Sequence, residues 1–108
     1  MNVEFVNKHL INVTWHENNN YQVEGQLIQS NQYYKFDIRN LSDFPEDKKG
    51  KLISSGSQAN KVLFEDDKNW ILVDTQELIK YMKAYGLKEI RLEELIKNID
   101  WNIILPKK

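Results

Sequence analysis

The residues best suited to chemistry are two acidic triplets that end in lysine, Glu46-Asp47-Lys48 and Asp66-Asp67-Lys68. An acidic residue followed by Asp/Glu-x-Lys on a strand can hold a divalent ion and orient a water, as small metal-dependent nucleases do. Both triplets here fall in segments that read as turns, where carboxylates are solvated and mobile. A loosely held site does little chemistry. Surface charge is the expected reading, with a degenerate nuclease as the enzymatic alternative. His9 and His16 are the only histidines, and their spacing forms no two-histidine metal pattern. Ser55-Gly56-Ser57 lacks the strand-to-helix elbow of a serine hydrolase. Gly50 and Gly56 stand one residue too far apart for a phosphate loop, and Ser57 takes the place of its lysine. No cysteine is present, which removes thiolate chemistry and disulfides. No catalytic residue, cofactor or metal is expected.

Binding is a better use of these side chains. Asp43, Glu46 and Asp47 form one acidic turn, and Glu65, Asp66 and Asp67 another. Such turns can mimic phosphates or meet a basic protein surface. A second candidate is the wet face of a strand carrying Tyr33, Lys35, Asp37 and Arg39. A tyrosine beside cations can stack a base and touch phosphate. However, Glu24 and Asp37 place negative charge nearby, and arginine is limited to Arg39 and Arg91. The electrostatic attraction that normally dominates nucleic-acid affinity is weak here.

The bulk numbers agree with a binding protein. The 108 residues carry a net charge of −1, with 41% apolar and 29% charged residues. This is an ordinary globular balance for one domain, residues 1–108, with no global field to draw it to nucleic acid or membrane. No apolar run approaches a membrane span, and Met1 to Leu10 lacks the apolar stretch of a signal peptide. The expected location is the cytoplasm. Lys, Asn and Ile are abundant and Ala is rare, a coding bias that hints at an AT-rich bacterium or its phage.

The elements that must position these residues are legible in part. Ile11, Val13 and Trp15 alternate with polar residues, as do Tyr21, Val23 and Leu27, then Tyr34, Phe36 and Ile38. This pattern predicts an antiparallel meander with one buried face. Asn18-Asn19-Asn20 and Ser30-Asn31 are its turns, Gly25 marks a bulge or close approach, and Val3 with Phe5 suggests a short leading strand. Residues 40 to 56 read as a connection, with Leu52-Ile53 as a short strand and Ser54-Ser55-Gly56-Ser57 as a mobile tract. Val62–Phe64 and Trp70–Val73 form a hairpin around Glu65 to Asn69. Asp74 and Glu77 suggest a capping box for a helix with the stripe Leu78, Tyr81, Met82 and Tyr85, ended by Gly86. Leu92, Leu95, Ile96 and Ile99 predict a second helix, although Ile90 to Leu92 also suits a brief strand. Trp101 to Leu105 closes the chain as a strand stopped by Pro106. The three tryptophans suit the core, with Trp15 nearest a rim.

The fold expected is therefore α+β, an antiparallel sheet with two short C-terminal helices on one face. The function expected is non-enzymatic inhibition of a protein partner, such as a nuclease or toxin. An immunity protein, an antitoxin or a phage anti-defence factor fits that description. Nucleic-acid binding is the alternative. An uncovered sheet edge would also allow a homodimer.

Overall fold

The computed structural model describes residues 3–16, 23–48, 50–53 and 57–107. The Asn18-Asn19-Asn20 turn, Tyr21 and the Ser54-Ser55-Gly56 tract lie outside them. Mixed α+β architecture and a mostly antiparallel sheet are observed, with three short helices.

The first element corrects the sequence reading. Val3–His9 is a helix, α1, not a strand. The apolar residues that enter the core are Phe5 and Val6, with His9 packed beside Phe5. That spacing is helical. Strands β1 (Leu10–Trp15), β2 (Val23–Leu27) and β3 (Gln32–Asn40) then pair in antiparallel succession. Asn31 closes the β2–β3 turn at φ 60°, and Asn12 at φ 55° sits where the β1 register shifts. Gly25 is a close approach, since a Cβ there would meet the Ile11 carbonyl oxygen at 3.2 Å.

The second correction concerns β3. It pairs parallel to β6 (Lys61–Glu65), with Phe36 opposite Lys61 and Ile38 opposite Leu63. A parallel pair needs a long return path. Leu41 to Asn60 supplies it through a 3₁₀ turn (Leu41–Asp43) and strands β4 (Glu46–Asp47) and β5 (Gly50–Ile53). Strand β7 (Asn69–Asp74) pairs with β6 on one side and β9 (Asn102–Pro106) on the other. The main sheet runs β1-β2-β3-β6-β7-β9, and β4 and β5 form a small sheet with β8 (Ile90–Arg91). Residues 90 to 92 thus supply both the brief strand and the start of a helix.

Each face of the main sheet has its own core. Phe5, Val6 and Leu10 pack with Val23, Leu27, Phe36, Leu63, Trp70, Leu72 and Leu105. Helices α2 (Thr75–Ala84) and α3 (Leu92–Asn98) cover the other face, where Leu78, Met82, Leu92 and Leu95 meet Val62, Phe64, Ile71 and Val73. Trp70 is fully buried, Trp101 is half-buried, and Trp15 is exposed at the rim.

The entry to α2 is built differently from the expected capping box. Asp74 does cap the helix, its Oδ2 accepting from the Glu77 N–H at 3.0 Å. Glu77 does not reach back to Asp74, because the Asp74 N–H already donates to the Trp101 carbonyl. The two Glu77 carboxylate oxygens instead accept from the N–H groups of Asp100 and Trp101, each at 2.9 Å. The other Asp74 oxygen lies 2.6 Å from the Lys61 ammonium. Lys61 is buried, with its Nζ 3.8 Å from the Trp101 ring centroid and 4.6 Å from that of Tyr34.

This packing sets the expected cost of two substitutions. Asp74→Ala should cost more than the ~1 kcal/mol of a lost N-cap, because it also strands a buried cation, a loss of about 3–5 kcal/mol in comparable pairs. Leu78→Ala should cost about 2–5 kcal/mol. Urea midpoints check both. A pH dependence is expected as well. Burial and then the Lys8 ammonium lower the His9 pKa. The unfolded imidazole titrates near 6.5 and takes up its proton first as pH falls. This contribution is therefore complete above about pH 6.5 and is lost as pH drops toward the lower folded value. Melting temperatures between about pH 7.5 and 5.5 should fall in the wild type and fall less in His9→Phe.

Candidate functional site

The acidic residues divide when the chain folds. Glu65 lies in β6 rather than in the turn, and its carboxylate is 2.6 Å from Lys107 Nζ. Asp66 shapes the hairpin turn, its Oδ1 accepting from the N–H groups of Lys68 and Asn69 at 2.8 and 2.7 Å. Asp67 is exposed at the tip, and Asp43 is exposed on the 3₁₀ turn. Glu46 and Asp47 form β4, not a turn, and pair with Lys51 and Gly50. The Asp47 side chain lies outside the described residues.

The fold nevertheless brings part of both triplets to one place. Glu46 and Asp66 line a cavity of about 220 Å³ whose apolar lining includes Leu41, Ile71 and Ile96. Glu93, in the first turn of α3, is a third carboxylate on its wall. Lys51 is the cation of the cavity, and it is partly committed: its Nζ donates to the Phe44 carbonyl at 3.3 Å and lies 3.8 Å from Glu46. The wall thus has three carboxylates against one lysine. Sequence reasoning missed Glu93. The signal was present in Glu93-Glu94, but acidic residues at a helix start are explained by the helix dipole alone. Among the described residues no three of His, Asp and Glu converge as a metal site.

The second candidate is changed by the corrected topology. Tyr33 and Lys35 are exposed near the start of β3, with Tyr33 52% accessible. Asp37 is only 7% accessible and Arg39 is half-buried. They are not a wet face, because Asp37 and Arg39 stand opposite Val62 and Phe64 on the side of the sheet that α2 and α3 cover. Asp37 and Arg39 pair with each other at 2.9 Å. On the same face, Glu24 sits opposite Lys35 and within 3.3 Å of His16. Carboxylates therefore accompany the cations along this surface.

Tyr85 is a third correction. Its spacing puts it on the buried stripe of α2, yet it is 67% accessible. The helix ends at Ala84, Tyr85 is its C-cap, and Gly86 follows at φ 63°. Leaving the helix turns the ring out against Tyr81, with centroids 4.8 Å apart.

No family model, curated protein or solved structure matches the chain.

Each acidic-x-lysine triplet has a structural role: one sits in a two-residue strand pair and the other holds a hairpin turn. Incubation with single- and double-stranded DNA or RNA and Mg²⁺ or Mn²⁺ should give no cleavage above background. Cleavage that vanishes in Lys48→Ala or Lys68→Ala would reverse that expectation.

Proposed function

We propose that this protein is a non-enzymatic inhibitor that binds another protein through the acidic end of its fold. The observation that carries the reading is the cavity where Glu46, Asp66 and Glu93 surround an apolar floor. A lysine or arginine from a partner can lay its aliphatic stem on apolar side chains while its charge meets carboxylates. The exposed Asp43 and Asp67 add negative charge on neighbouring turns. Opposed charges speed encounter and fix orientation. A nuclease or toxin with a basic active face is the partner chemistry this surface suits, in the manner of an immunity protein, an antitoxin or a phage anti-defence factor.

Nucleic-acid binding at Tyr33 and Lys35 has less support, because Glu24 sits opposite Lys35 and repels phosphate, and Arg39 is already paired with the buried Asp37. A strand-paired homodimer also has little support. The β1 edge is broken at Asn12. Along β9, the bonds from Asp74 N to Trp101 O and from Lys107 N to Lys68 O set the alternation, so Asn102, Ile104 and Pro106 turn their backbone groups outward. Pro106 offers no N–H there. Both features are devices that blunt sheet edges. Among the described residues no helix is long and apolar enough to cross a membrane.

Affinity capture from lysate, with and without nuclease treatment, tests the proposal. Charge reversal should use Glu46→Lys, Asp67→Lys and Glu93→Lys, sparing Asp66 because it holds its turn. The triple variant should lose a captured protein that Tyr33→Ala/Lys35→Ala retains, and raised salt should weaken the capture. Loss only in the Tyr33/Lys35 variant, with release by nuclease, would favour the nucleic-acid reading instead.

A further inference from the structure

Between α2 and the end of α3 lies a notch of about 280 Å³, bounded by Tyr81, Ala84 and Tyr85 on one side and by Asn98 and Ile99 on the other. Small-molecule sites run from about 300 to 1,000 Å³, so this one suits a single side chain. Its wall is aromatic. Tyr85 is exposed, and its ring packs only edgewise against Tyr81, at an interplanar angle of 45°. The core does not use this ring, and exposed tyrosines are frequent anchors of protein interfaces.

The charge around the notch is net negative. Glu77 lines it, each carboxylate oxygen accepting one backbone N–H, from Asp100 and from Trp101. Those bonds fix the carboxylate in place without neutralising it. Glu94 on α3 stands close to Tyr81: desolvation first, then this carboxylate and the Tyr85 phenol, raise the Tyr81 pKa, so both rings present a neutral face. Lys80 is the cation on the wall, exposed and without an ion pair among the described residues. Two carboxylates thus stand against one ammonium. Asn98 adds an acceptor: its Nδ2 donates to the Glu94 carbonyl at 2.7 Å, and its Oδ1 accepts no bond among the described residues.

We infer that this notch takes an arginine side chain of a basic partner protein. The inference deepens the inhibitor reading and rests on its basic partner. A guanidinium can stack on the exposed Tyr85 ring, donate to Asn98 Oδ1 and lie near the Glu94 carboxylate, with its aliphatic stem along Ala84. A lysine ammonium has no plane to stack and is more strongly hydrated. Helix α3 separates the notch from the acidic cavity, since Glu93 and Ile96 line the cavity and Asn98 lines the notch. The two sites share no residue. A helix is about 10–12 Å across, so the partner would present two cationic side chains about that far apart, one for each site.

The test is titration of the full-length protein with N-acetyl-arginine amide, followed by amide NMR. The probe should shift the Tyr85, Gly86 and Asn98 amides, and N-acetyl-lysine amide should bind there about threefold or more weakly. Tyr85→Ala and Glu94→Lys should each weaken the arginine probe by about the same factor, whereas Lys80→Ala, which removes a like charge, should tighten it. Glu46→Lys/Asp67→Lys alters the cavity side alone and should leave the notch shifts unchanged. Four outcomes overturn the inference: no shifts at the notch, equal binding of the lysine and arginine probes, full binding by Tyr85→Ala, or loss of the notch shifts in the Glu46/Asp67 variant. A silent notch in a protein that still captures its partner through the cavity would overturn this inference and leave the inhibitor reading standing.

Discussion

The Lys61 ammonium is the charge on which the C-terminal half of this structure depends. It is buried between the rings of Tyr34 and Trp101 and bound to Asp74. A buried cation is stable only when its partners are well placed, and here each partner belongs to a different element. Tyr34 belongs to β3, Asp74 ends β7 and caps α2, and Trp101 leads into β9. Glu77 then ties the first turn of α2 to the same loop through Asp100 and Trp101. One side chain on β6 thereby fixes the entry of a helix and the arrival of the last strand. The candidate cavity uses an element positioned from this point, since its wall includes Ile71 of β7.

The strongly periodic segments are legible in the sequence. The meander strands, the 62–73 hairpin, the Asp74 cap and, Tyr85 apart, the stripes of α2 and α3 follow from local spacing and capping chemistry. What local spacing does not carry is non-local. Nothing in Tyr34, Phe36 and Ile38 announces that their strand lies beside β6, which sets Asp37 next to Val62 on the face that α2 and α3 cover. Alternation says which residues share a face, but the neighbours decide whether that face is wet. Val3 and Phe5 stand two apart and so fit one face of a strand; Phe5, Val6 and His9, at i, i+1 and i+4, fit one face of a helix.

The candidate site is legible as residue types and not as a constellation. Glu46 and Asp66 stand twenty positions apart, and only the crossover through β4 and β5 brings them to one cavity. Glu65 and Asp66 are adjacent in sequence, yet one pairs with Lys107 and the other folds its own turn. Adjacent residues on a strand point to opposite faces, so an acidic run at a strand end divides its charge between two surfaces.

The parallel seam between β3 and β6 also bears on how the chain reaches this structure. On one side of it, β1, β2 and β3 are joined by successive antiparallel pairing; on the other, β6 and β7 form a hairpin, and α2, β8 and α3 intervene before β9 returns beside β7. The hairpins β1–β2, β2–β3 and β6–β7 can organise from contacts near in sequence, whereas the seam (Phe36 with Lys61), the β7–β9 pairing (Val73 with Asn102) and the β5–β8 pairing (Ile53 with Ile90) each close a long stretch of chain. Long-range closure must meet its entropy cost before its contacts reward it. These three closures are therefore the slow junctions of the fold. Because the small sheet of β4, β5 and β8 joins the Leu41–Asn60 return path to the lead-in of α3, the acidic cavity is among the last features of the molecule to assemble.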